Sequence, residues 1–261
     1  MTLHRIVLLC VASIALAACG GSKLVKHAAP IPQRELPIAV AADAILAAQL
    51  DFIVVRNGPG AWAKNGHWDE YLIRVRNASS GAVELRAVEV TDSEGHVAIA
   101  LNDRADLVRA SKLTAKRYRR SGIKVAAGHG AGLLVAGVGA GVLGYGGAVA
   151  SATSAALGAG GAAGGGAAVA GGLILAAPVL IGVGITRMVH NSKLDDRIKQ
   201  RATPLPMSVP AGSDVLLDLF FPISPSPRQV TFHYRNAQGD QQLQLDTARV
   251  LTGLHLAAPP P

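Results

Sequence analysis

The chain has 261 residues, which is enough for one or two domains; half of them are hydrophobic and only 16% carry charge. Its formal net charge of +8 suits contact with anionic lipid or an anionic polymer. No nucleic-acid motif accompanies that charge, so nucleic acid is not an expected partner.

Residues 1–18 read as a secretory signal: Arg5 makes a short basic start, an apolar run extends from Ile6 to Leu16, and small residues follow. The sequence Leu16-Ala17-Ala18-Cys19 at its end resembles the bacterial lipobox. That resemblance implies an acylated Cys19 as the first residue of the mature chain. Gly20, standing where an aspartate would favour retention elsewhere, then implies the outer membrane. Cys10 leaves with the signal and Cys19 takes the lipid, so no thiol remains and the body must fold without disulfides.

Residues 19–37 are polar and proline-bearing, and are expected to form an extended, mobile tether. Residues 38–103 change to period two, in DFIVVRN, EYLIRVRN and AVELRAVEV, each closed by turn residues. In the second, Tyr71, Ile73 and Val75 fall on one face, and Leu72, Arg74 and Arg76 on the other. Residues 104–122 predict a helix, with Leu107, Val108, Leu113 and Tyr118 available for packing.

From Val125 to Thr186 there is no Lys, Arg, Asp or Glu, and 20 of the 30 glycines lie between Gly122 and Gly184. Every fourth residue from Gly128 to Ala176 is Gly or Ala, a spacing that gives a helix a smooth seam for close backbone approach. Gly128, Gly132, Ala136, Ala140, Gly144 and Gly172 are the expected helix-packing positions. Residues 123–189 thus predict a glycine-zipper helical hairpin with arms long enough to cross a bilayer. Basic residues flank it. Lys116, Arg117, Arg119, Arg120, Lys124 and Arg187 are the expected headgroup contacts.

Residues 190–203 read as a basic connector. Residues 204–256 return to period two, with Val230, Phe232 and Tyr234 alternating against Thr231, His233 and Arg235, and 257–261 form a tail. Neither strand block closes a core alone, while together they give about seven strands. The expected fold class is α+β: an immunoglobulin-like β-sandwich split by an inserted Gly/Ala-rich, transmembrane-like helical hairpin.

The signal and the Gly-rich insertion resemble the glycine-zipper lipoproteins of bacterial envelopes, on Leu16 to Cys19 and on GxxxG pairs such as Gly128 to Gly132 and Gly137 to Gly141. That resemblance implies association with the outer membrane. The function expected is that of a non-enzymatic, lipid-anchored envelope protein with a periplasmic β-domain. Its expected partners are membrane lipid, further copies of itself through the hairpin, and an unidentified envelope component. A membrane-permeabilising lipoprotein is the second reading. No cofactor and no metal site are expected. Asp69 and Glu70 are adjacent on a strand and point to opposite faces, so they do not form a paired acid site; they and His67, His96, His233 and His255 are expected to be structural or superficial. Trp62 and Trp68 are expected in the core or at an interface.

Overall fold

The structure, a computed structural model, describes residues 22–32, 36–134 and 182–257. Among the described residues, eleven strands form three antiparallel sheets. The first large sheet orders β2 (Ala39–Ala42), β3 (Leu46–Val54), β5 (Trp68–Asn77) and β9 (Asp214–Pro222) side by side. The second orders β11 (Gly239–Asp246), β10 (Gln229–Asn236), β6 (Val83–Thr91) and β7 (Val97–Ile99), with β8 (Met207–Val209) also pairing with β6. A two-stranded piece joins β1 (Lys23–Leu24) to β4 (Ala63–Lys64).

Alternation places the core. Tyr71, Ile73 and Val75 of β5 are buried and Arg74 and Arg76 are exposed; Val230, Phe232 and Tyr234 of β10 are buried in the same way. These residues face Phe52, Leu85, Phe221 and Leu245 between the two large sheets. The Tyr71 and Phe221 rings meet edge to face at 4.9 Å. β9 lies beside β5 and β10 beside β6, so strands from both sides of the Gly/Ala-rich stretch enter both sheets.

The chain first passes between the two large sheets at the turn into β6 and passes again from β8 to β9 and from β9 to β10. One feature of the expected fold class is corrected: the inserted helical hairpin, which the described residues do not show. They hold two α-helices, α1 (Arg104–Arg120) and α2 (Gly182–Arg201), and no helix among them is long and apolar enough to cross a membrane. α1 ends in a motif that closes it off: the Ile123 N–H bonds to the Tyr118 carbonyl and the Gly122 N–H to the Arg119 carbonyl, with Gly122 at φ +76°.

Residues 123–134, read from sequence as the start of the first arm, therefore run as turns and a short 3-10 segment, Ala131–Leu134. Gly128 and Gly130 have φ of +80° and +77°, outside the α-helical region. α2 begins inside the expected second arm but continues through the expected basic connector to Arg201, carrying Lys193, Asp195, Asp196, Arg197 and Lys199. Ala136, Ala140, Gly144 and Gly172 lie outside the described residues, as do Cys19 and the signal.

The N-terminal stretch is laid on the body rather than held away from it. Besides the β1–β4 pairing, the Val25 N–H donates to the Trp62 carbonyl and the Gly60 N–H to the Ala29 carbonyl, each at 2.8 Å. Ser22 Oγ donates to the Asn65 carbonyl at 2.8 Å.

Candidate functional site

Among the described residues, the helices cover the outward face of the first sheet at one end. There, Trp68 and Phe220 project from β5 and β9 against Leu107 of α1 and Leu194 and Ile198 of α2, with Trp62 completing a second apolar cluster. Periodicity explains the helix contacts: Leu107, Ser111, Thr114 and Tyr118 recur at three- and four-residue spacing and form the buried face of α1. Asp103 caps its first turn by accepting the Asp106 N–H at 3.0 Å. Ser111 Oγ accepts the Ile223 N–H at 2.9 Å and lies 2.6 Å from the His67 carbonyl, which ties the helix to the end of the sandwich. Arg104 Nε donates to Asp195 at 2.6 Å and so joins α1 to α2.

A charged network sits beneath this helical cap. Glu70 is 1% exposed, and such a carboxylate is tolerable only with good partners. It has them: Trp62 Nε1 donates to Oε2 at 2.6 Å, and Arg201 Nε, from the last residue of α2, donates to Oε1 at 2.7 Å. The Arg201 guanidinium also reaches Asp218 at 3.1 Å and lies 5.9 Å from the centre of the Trp62 ring. One guanidinium thus serves two carboxylates. Burial, together with the neighbouring Glu70, pushes the Asp218 carboxyl up to about 8, so near neutral pH the pair keeps a proton.

The two helices of the cap carry the net positive charge. α1 holds seven Lys or Arg and one Asp, and α2 holds five Lys or Arg and two Asp, a net of +9. The whole chain is +8, so everything outside the two helices sums to −1. Arg109, Lys112, Lys116 and Arg120 are exposed at helical spacing around Leu113, itself 55% exposed although its apolar character had marked it for packing. Part of this face lines an open groove of about 450 Å³. Of the expected headgroup contacts, Lys116, Arg119, Arg120 and Lys124 are exposed, Arg117 is half-buried with its guanidinium on Thr114 Oγ1 at 3.1 Å, and Arg187 belongs to α2.

The second buried acid, Asp69, points the other way, between the sheets. Its Oδ2 lies 2.9 Å from His255 Nε2, and the two side chains are 1% and 0% exposed. His255 Nδ1 accepts the Gly128 N–H at 3.0 Å, which fixes the proton on Nε2, donated to Asp69. Backbone bonds extend the attachment: the Ala126 N–H donates to the His255 carbonyl and the His255 N–H to the His129 carbonyl, both at 2.8 Å. Residues 124–131 therefore form a strap fastened to the C-terminal segment. Gly128 is needed there because a Cβ would stand 2.1 Å from the Arg56 carbonyl oxygen, at a φ that already favours glycine. Among the described residues, no atom lies within 4 Å of a Cβ at Gly132. The two glycines of the expected seam thus differ: one meets backbone of the sandwich and the other meets nothing described.

The Asp69–His255 pair lacks the geometry of a catalytic triad. Both imidazole nitrogens are occupied, one by the carboxylate and one by a backbone N–H, leaving none to take a proton from a nucleophile. Sequence reasoning set aside Asp69, Glu70 and His255 as structural or superficial. Their partners stand 186 and 131 residues away, and only an acidic pair inside an otherwise apolar strand end hinted at them. Among the described residues, no group of three His, Cys, Asp or Glu is placed to hold a metal ion. No protein-family model, no curated protein and no solved structure matches the chain.

Proposed function

We propose that this chain is a non-enzymatic, lipid-anchored protein of the bacterial envelope. In this reading Cys19 holds it in the outer membrane, the β-sandwich lies in the periplasm, and the helical cap binds an anionic envelope component. The observation that carries the binding role is the confinement of the positive charge to the two helices, a net of +9 on a body that is otherwise slightly negative. Two of the buried acid–base groups support a binding role over a catalytic one: Glu70 and His255 are each bonded on both sides within the fold. Support for the anchor comes from Leu16 to Cys19.

Mass spectrometry of the mature N-terminus tests the anchor. The expected result is an acylated Cys19 at position one, with Cys19→Ala accumulating as mislocalised precursor. A mature chain that begins elsewhere, or an unmodified Cys19, contradicts it.

A further inference from the structure

We infer that the outer face of the cap lies against the same anionic phospholipid bilayer that takes the Cys19 lipid, so that anchor and cap are two attachments to one surface. The inference rests on the anchored reading of Cys19. What carries it further is where the chain reaches the body. Ser22 is fixed to Asn65, and β1 packs along α2, so the N-terminal segment joins the molecule at the cap. Only Gly20 and Gly21 separate Ser22 from Cys19, and the three steps along the chain span about 10 Å when fully extended. An acylated Cys19 is thereby held within reach of the helices, and an anionic polymer elsewhere in the envelope has no such constraint.

The chemistry of the face matches a bilayer surface. Arg109, Lys112, Lys116 and Arg120 surround the exposed Leu113 on α1, and Leu24 on β1 is exposed as well. Cations ringed about an apolar side chain, their own alkyl stems lying flat, suit phosphate headgroups above and the first methylenes below. The opposite face of α1 is locked by Leu107, Ser111, Thr114 and Tyr118, so the helix presents this surface without having to form on contact. The far end of the molecule is the β10–β11 turn at Asn236–Gly239, next to β6 near Glu84, whereas the cap covers the Trp68–Phe220 end.

The test places a single fluorescent label on the mature lipidated protein, at Leu113→Cys or at Gln238→Cys, which is possible because neither native cysteine leaves a free thiol once Cys10 is removed and Cys19 acylated. The protein is reconstituted in phosphatidylglycerol vesicles or in phosphatidylcholine vesicles and exposed to a water-soluble quencher. The expected result is strong shielding at 113 on phosphatidylglycerol only, reversed by high salt, with 238 quenched throughout. Adding Arg109→Gln, Lys112→Gln and Lys116→Gln should restore quenching at 113 at least tenfold while the protein stays on the vesicles, since each cation is worth about a factor of five at an anionic surface. Equal quenching at 113 and 238 on phosphatidylglycerol, with Cys19 acylated, overturns the inference and leaves the anchor standing. An unacylated Cys19 in the same preparation overturns both.

Discussion

Between the sheets, Phe52, Leu85, Phe221, Phe232 and Leu245 belong to one large apolar cluster, with the buried acid–imidazole pair Asp69–His255 on that side of the sheet, whereas beneath the helices Trp62, Trp68 and Phe220 share their space with Glu70, Arg201 and Asp218. Apolar contact has no direction and depends on area, so the sandwich is held by many interchangeable contributions. The cap is held by a few directional bonds, each with one donor and one acceptor. Losing one leaves a buried charge or a buried N–H unpaired, and the cost falls on the cap alone. The same sheet therefore has one face held mainly by apolar contact and another held mainly by paired charges.

The largest effect should come from the inter-sheet core. Phe232→Ala is expected to cost about 3–5 kcal/mol, read as a fall in urea midpoint with an unchanged slope, and to loosen cap and sandwich together. A loss confined to the cap would break the distinction between the two regions.

Next in size is the strap. Gly128→Ala puts a methyl against the Arg56 carbonyl at φ +80° and should cost about 1–3 kcal/mol, while Gly132→Ala should stay within about 0.5 kcal/mol. Thermal melts of the two variants decide it. Equal losses would mean that the four-residue spacing matters for a reason other than the close approach at Gly128.

The smallest effect sharpens the comparison through pH. The folded state holds the Asp218 proton up to about pH 8, while the unfolded chain releases it near 3.8. Folding therefore takes up a proton between those values, so this contribution is full at low pH, declines as pH rises and levels off above about 8. Wild type measured against Asp218→Asn should lose about 1 kcal/mol between pH 7 and 8.5. A difference that grows in favour of wild type over that range would contradict the assignment.

The sandwich was legible because its strands carry their burial in period two: β5 and β10 could be divided residue by residue into core and surface. Strand neighbours were not, because alternation says which face a residue takes and nothing about which strand lies beside it. β2 escaped because AVAA has little contrast between its faces. The buried acids escaped for a different reason. Asp69 and Glu70 do point to opposite faces, as adjacent strand residues must, but each face turned out to be covered, one by the strap and His255, the other by Trp62 and Arg201. The glycine register fails where it can be compared, at Gly128 and Gly132, which share the four-residue spacing but have unlike environments; its positions from 136 to 176 lie outside the described residues.

Residue-resolved hydrogen exchange on wild type and Glu70→Ala tests the division between an apolar sandwich and a polar-fastened cap most directly. Removing the carboxylate leaves the Trp62 N–H without its acceptor and frees one side of Arg201. The account predicts that amides of α1 and of the Arg201 end of α2 lose about 10- to 100-fold in protection, while those of β3, β6 and β10 keep theirs. A uniform loss across strands and helices would contradict it, because cap and sandwich would then be one cooperative unit.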